Sequence, residues 1–260
     1  MKPSERHFSS IAERYRDLRT TDAAPVEAIQ GGLPADRPLR GVDVGCGTGR
    51  YTELLHGRLP VGSITLAADC NMEMLRGLGA RLGPGSAIHP IRAGAERLPL
   101  ASGRLDWVAT FNAVHHFDLP SFLEGIAAAL KPGGSLWIYT RTPEQNARTV
   151  WGSSFPGFAE HESRLLREAE LRAAIDATGG LDLESGRTLR HERESTRERL
   201  IEQARGAHYS TFRLYSDAEL REALHRFESR LPEGSPIRWT DENLLIECRR
   251  ERRGRGPAQA

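Results

Sequence analysis

The residues Val42-Asp43-Val44-Gly45-Cys46-Gly47-Thr48-Gly49 constrain this chain more than any others. An apolar run from Leu39 to Val44 ends in three alternating glycines, and Arg50 to Leu55 then reads as a helix. Glycine lacks a Cβ, so it allows sharp turns and lets a ligand approach the main chain closely. The helix that follows presents unpaired N–H groups at its start. Strand, glycine turn and helix in this order predict a βα unit with a ligand seated on the turn.

The spacing narrows the choice of ligand. Dinucleotide loops have the form G-x-G-x-x-G and aim a helix end at a pyrophosphate. Here the third glycine comes one residue early, and Asp43 precedes the loop. A carboxylate at that point repels a pyrophosphate and suits a ligand with an ammonium group, so a nicotinamide-dependent oxidoreductase is a distant reading. Asp69 closes the next apolar run, Ser63 to Ala68, twenty residues after Gly49. An acid at the tip of a second strand can accept hydrogen bonds from both ribose hydroxyls.

The remaining chain continues the alternation. Helical patterns at Met72 to Leu82 and Leu119 to Leu130 separate strand patterns at Ala87 to Arg92, Leu105 to Phe111 and Ser135 to Tyr139. Lys131-Pro132-Gly133-Gly134 stops the second of these helices, because proline has no N–H to donate and glycine accepts positive φ. Such alternation predicts an α/β domain with a mainly parallel sheet covered on both faces. Upstream, Phe8, Ile11, Tyr15 and Leu18 predict an amphipathic helix over residues 4–19, and a short helix is expected at Pro25 to Ile29. Downstream, residues 141–163 read as loop, Arg164 to Thr178 as helix and residues 181–192 as strand. A charged helical stretch follows over residues 195–231, broken near His208 to Thr211, before a last strand at Ile237 to Arg249. The Arg-, Gly- and Pro-rich end, residues 250–260, is expected to fray.

Composition excludes several classes. The chain has 260 residues with 36 Lys and Arg against 35 Asp and Glu, so no global field draws it to nucleic acid or membrane. Cys46, Cys70 and Cys248 are far apart and form no CxxC pair, which points to neither a zinc site nor a disulfide framework. The first residues lack the apolar core of a signal peptide, and no stretch has membrane-spanning length. A cytoplasmic protein without metal is expected.

Four blocks in order resemble the class I S-adenosylmethionine (SAM)-dependent methyltransferases, and within them the UbiE-like, type 11 branch. Asp43 to Gly49 is similar to motif I, and Asp69-Cys70-Asn71-Met72-Glu73-Met74-Leu75 to the acidic segment after the second strand. Ala95-Glu96-Arg97-Leu98-Pro99-Leu100 with Leu105-Asp106-Trp107-Val108 resembles the block that follows, and Leu130 to Gly134 the "LKPGG" turn. The resemblance spans about residues 40–140 and implies a Rossmann-like, doubly wound sheet of about seven strands, the last antiparallel. One domain over residues 1–260 follows, with a core at about 36–140, the helix at 4–19 as a lid and residues 195–231 as a helical cap insertion.

The resemblance also implies roles. Asp43, Gly45, Cys46 and Gly47 would meet the methionyl part of SAM, Asp69 the ribose, and Cys70, Ala95 and Glu96 the adenine. Relatives often have Asp before the Ala where this chain has Gly94, so adenine recognition would lean on backbone groups. The main chain at Phe111 and Asn112 would face the methionyl group, Tyr15 would close over SAM, and Arg19 could meet its carboxylate. His115 and His116 follow the fourth strand and are the candidate catalytic bases, since imidazole titrates near neutrality. His208, Tyr209, Tyr215, Trp151, Phe155 and Phe158 are candidate linings or lids of an acceptor pocket. A small-molecule acceptor is the first expectation, with S-adenosylhomocysteine as co-product. Two alternatives stand beside it: a nucleic-acid methyltransferase, against which Asn112-Ala113-Val114-His115 replaces the "[DNS]-P-P-[YF]" motif, and a non-catalytic SAM-binding module.

Overall fold

The computed structural model describes residues 19–234 and 236–251. Tyr15, nearly all of the expected N-terminal helix and the chain beyond Glu251 lie outside these residues. Seven strands form one sheet in the order β3-β2-β1-β4-β5-β7-β6. They are β1 (Arg40–Val44), β2 (Ile64–Asp69), β3 (Ile88–Arg92), β4 (Leu105–Phe111), β5 (Leu130–Thr140), β6 (Leu181–Ser195) and β7 (Ile237–Arg250). The first five pair in parallel, and β7 runs antiparallel between β5 and β6. The expected Rossmann-like sheet with an antiparallel last strand is therefore present. Strand order reverses between β1 and β4, the place where open α/β sheets leave a crevice at their carboxyl ends.

Alternating side chains on the central strands feed two cores. Val42, Val44, Val108, Leu136, Ile138 and Ile246 pack on one face against α4 (Leu119–Ala129) and α8 (Glu168–Thr178). Trp107, Ala109, Phe111, Trp137 and Tyr139 pack on the other with α1 (Ala23–Gly32) and α2 (Arg50–His56). Asn71 caps α3 (Met72–Gly79), its Oδ1 accepting from the N–H of Glu73 at 2.9 Å and of Met74 at 3.2 Å.

Beyond the sheet the structure departs from expectation in one region. Residues 141–163 read as loop but fold into α5 (Pro143–Arg148), α6 (Val150–Ser154) and α7 (Phe158–His161). Each is too short to show a helical period, which explains the miss. With α9 (Arg197–Arg205) and α10 (Asp217–Arg230) they bury a third core of Trp151, Phe155, Phe158, Leu200, Phe212 and Phe227. The helical layer expected at 195–231 thus gains a second half from earlier in the chain. Phe155 and Phe158 belong to that core and line no cavity described below. Arg250, the first residue of the tail expected to fray, is instead held in the sheet, where Arg249 and Arg250 pair with Asp182 and Leu181. No helix among the described residues is long and apolar enough to cross a membrane.

Gly41 shows how tightly the sheet is packed. It pairs with the fully buried Trp107, and a Cβ on Gly41 would lie 2.0 Å from the indole ring. Gly31 on α1 has nothing within 4 Å of the equivalent point. Gly41→Ala should therefore cost about 1–3 kcal/mol or more by overpacking. Gly31→Ala should be neutral or stabilise by up to about 1 kcal/mol through helix propensity. Urea unfolding of both variants checks this, and equal effects would contradict it.

Candidate functional site

The glycine loop after β1 is held by its neighbour strand. The N–H groups of Gly45 and Cys46 both donate to Ala68 O, at 2.8 and 3.0 Å. Asp69 ends β2 and accepts from Gly47 N through Oδ2 and from Asn71 N through Oδ1, each at 2.8 Å. Gly45 and Gly47 have φ of 73° and 56°, in the left-handed region. A Cβ on Gly45 would meet the Cβ of Ala113 at 2.5 Å, whereas one on Gly47 would enter open space. The first glycine is demanded by the protein's own packing. The second leaves room for a ligand.

That room is a cavity of about 460 Å³ at the carboxyl ends of β1, β2 and β4. Asp43, Gly45, Cys46, Gly47, Asp69, Cys70, Ala95, Glu96, Phe111, Asn112 and His116, all singled out from sequence, line it. Asp43 is buried, with Oδ2 bonded by the Thr52 hydroxyl at 2.5 Å and Oδ1 without a partner. Burial pushes its carboxyl up to about 7, the Thr52 hydroxyl opposes this, and nearby Asp69 adds to it. An orphaned carboxylate oxygen inside a cavity calls for a cationic donor. The Cys46 thiol is raised well above its usual range, by burial and then by Asp43 and Asp69, so it is no thiolate nucleophile. The described residues hold no group of three or more His, Cys, Asp or Glu arranged to bind a metal.

A second cavity of about 300 Å³ lies under the helical layer. It shares Arg50, Tyr51, Asn112 and His116 with the first. Asn112 adopts a left-handed φ of 54°, which asparagine tolerates better than most residues, and its N–H donates to Tyr139 O at 2.7 Å. Tyr51 stacks on Phe111 with ring centroids 4.4 Å apart and an interplanar angle of 4°. The wall between the cavities is thus braced from β4 and α2.

His115 lines only the second cavity, and its ring touches that of His116, centroids 4.1 Å apart. Its Nδ1 is buried without a partner. Burial, then His116, Arg164 and Arg19, hold His115 well below its usual pKa, so the ring is neutral at neutral pH. Trp151, His208 and Tyr209 also line this cavity. Tyr215 does not, its hydroxyl donating instead to Pro156 O at 2.8 Å and its ring stacking on His161.

Four carboxylates line the second cavity, and each is engaged by arginine. Arg193 donates to Asp22 at 2.7 and 2.9 Å and to Asp241 at 3.0 Å. Arg164 binds Glu162, and Arg238 binds Glu194 at 2.7 Å. Burial alone would raise Asp22, yet Arg193 outweighs it and holds the carboxyl below its usual range.

One sequence expectation needs correction. Arg19 lines the second cavity, its guanidinium 4.1 Å above the Tyr209 ring, and not the first, so it does not stand where the glycine-loop ligand would sit. Arg50 lines both cavities, donating to Thr20 O and Thr21 Oγ1, both at 2.8 Å. A cation immediately after Gly49 was the signal that would have found it.

The chain is similar to known methyltransferases. Residues 42–138 match the family described as "Methyltransferase domain". The chain is 29% identical over 240 residues to a trans-aconitate 2-methyltransferase of Methylobacterium nodulans, covering 86% of this chain and 88% of the relative. It is 27% identical over 176 residues to a malonyl-[acyl-carrier protein] O-methyltransferase of Enterobacter lignolyticus, covering 66% and 67% respectively. Its fold is similar to that of geranyl diphosphate C-methyltransferase from Streptomyces coelicolor in complex with Mg2+, geranyl diphosphate and S-adenosyl-L-homocysteine. That match has a TM-score of 0.56 and 16% identity, covering 88% of this chain and 78% of the other.

The neutral His115 carries a linkage consequence. Its folded pKa lies below the unfolded value near 6.5, so the unfolded state binds the extra proton as pH falls. Its stabilising effect is present above about pH 6.5 and is lost on acidification, by up to about 1.4 kcal/mol per pH unit. His115→Gln should flatten the fall in stability between pH 6.5 and 5 relative to the parent chain. Denaturation at stepped pH tests this, and parallel curves would refute it.

Proposed function

We propose that this chain is a class I SAM-dependent methyltransferase of the type 11 branch, a reading supported by the match over residues 42–138, and that it methylates a carboxylate of a small molecule held in the second cavity. The observation that carries the reading is the shared wall. With Arg50, Tyr51, Asn112 and His116 common to both cavities, donor and acceptor meet inside protein and are aligned by it. A cavity of about 300 Å³ suits a small ligand.

The first cavity fits SAM. Asp43, with its orphaned oxygen, would hold the ammonium, Gly45 to Gly47 the methionyl chain and Arg50 the carboxylate. Asp69 would hold the ribose, while Cys70, Ala95 and Glu96 border the adenine. SAM supplies an electrophilic methyl on its sulfonium. The protein's task is then to align the acceptor, exclude water and bind the acceptor's charge. We read the chain as one domain, with α5 to α7 and α9 to α10 as the cap that performs the second task.

Carboxylate methylation is favoured because the wall repels no anion: every acidic residue lining the second cavity is already engaged by arginine. The two relatives described above are a trans-aconitate 2-methyltransferase and a malonyl-[acyl-carrier protein] O-methyltransferase. An ionised carboxylate is itself the nucleophile and needs no base. His115 and His116 would then donate hydrogen bonds to the acceptor. A hydroxyl acceptor is the second reading, favoured by the unpartnered Nδ1 of His115, which could take a proton.

Purified protein with methyl-labelled SAM and matched sets of small carboxylic acids, alcohols and amines separates these readings. Label in base-labile esters of the acids is expected. Label confined to alcohol or amine products would overturn the carboxylate assignment.

The Asp43 carboxyl near 7 predicts a second result. It must be ionised to hold an ammonium, so affinity for S-adenosylhomocysteine should rise about tenfold from pH 6 to pH 8. Asp43→Asn should bind more weakly and lose most of that slope. Calorimetry at three pH values decides it, and an equal slope in the variant would remove Asp43 from the ammonium site.

A further inference from the structure

We propose that Arg141 holds a second anionic group of the acceptor and makes the enzyme selective for molecules with two carboxylates. The inference rests on the carboxylate-methylation reading and extends it to substrate class.

Arg141 follows the last residue of β5, where the strand's carboxyl end opens on the second cavity. Its side chain is only 11% exposed, yet it forms part of the cavity wall. Its Nε–H has no partner. Its carboxylate neighbour, Asp241, lies 3.4 Å from Nη2, and Asn243 Oδ1 is equally distant. Asp241 is held more closely by Arg193 at 3.0 Å and by the indole N–H of Trp239 at 2.9 Å. Arg141 is therefore the weaker claimant on a carboxylate already bound, and a buried N–H of its guanidinium remains unanswered. Buried donors in folded proteins are nearly always satisfied, by protein, water or ligand.

Charge alone does not explain the placement. Asp22 and Asp241 face Arg193 and Arg141, so this group of four is neutral overall. What Arg141 offers is a planar fork of directed N–H donors, which matches a carboxylate in a way an ammonium does not. The same guanidinium is also hydrogen-bonded with the Tyr209 phenol, and Arg19 lies over the phenol ring, which leaves Nε–H as the unanswered donor.

Arg141 does not line the first cavity, nor does it belong to the shared wall. A carboxylate bound to it is therefore not the one at the junction that receives the methyl group. The acceptor is held at two points, one reacting and one anchoring.

The test uses short aliphatic dicarboxylates, each paired with its monomethyl ester, as methyl acceptors for the 260-residue chain. The parent enzyme should prefer each acid over its ester by about tenfold or more, through KM rather than kcat. Arg141→Gln and Arg141→Lys should both erase most of that preference, while affinity for S-adenosylhomocysteine, which reports an intact fold, stays unchanged. Retained preference in both variants would overturn the inference, as would equal methylation of acids and esters by the parent. If neither set accepts methyl although S-adenosylhomocysteine binds, the carboxylate reading itself falls, and this inference falls with it.

Discussion

The site exists because β1 and β4 lie side by side while their chains leave in opposite senses. From β1 the chain passes through the glycine loop into α2 on one face, and from β4 it passes through Asn112 to His116 into α4 on the other. Two loops that part in this way leave a crevice that no side chain of the sheet can fill. Everything that surrounds the first cavity secures that parting. Ala68 O and the Asp69 carboxylate fix the glycine loop from the neighbouring strand, and Asn112 takes a left-handed turn to carry β4 away.

Electrostatics divides the two cavities. The first is floored by a carboxylate that burial has pushed towards neutrality, a state that a cation would reverse. The second is walled by arginines, with each of its carboxylates already satisfied. On the proposed reading, the donor, which carries a positive centre, and an anionic acceptor would find opposite surroundings on either side of one wall. Buried acids and cations are costly unless answered, so this separation restricts what can occupy each side.

The sheet and the first cavity were largely legible in the sequence. Gly45, Gly47, Asp43 and Asp69 could be placed because each answers to local chemistry: a turn, a close approach, an acid at a strand tip. The second cavity was not legible in the same way, since its walls come from segments far apart in the chain, as Asp22, Arg141, Arg193 and Asp241 show. No period or motif announces such a meeting. One local signal was available and unused. Thr142-Pro143-Glu144-Gln145 is a capping box with proline in the first turn, and it does start α5. The apolar residues Trp151, Phe155 and Phe158 were visible too, but burial against α9 and α10 decides their place, and that is a tertiary fact.

The ion pair between Asp22 and Arg193 joins residues 171 positions apart. Closing so long a stretch of chain costs entropy that only the assembled sheet can offset. The glycine loop needs nothing beyond β1, β2 and the strands beside them, contacts that are comparatively close in sequence. The two halves of the site therefore differ in when they can form. A chain emerging from synthesis can complete the first cavity early, whereas the second waits until β6 and β7 have docked and the segment before α1 has been caught by Arg193. On the proposed reading, donor recognition belongs to the part of the fold that closes first, and acceptor recognition to the part that closes last.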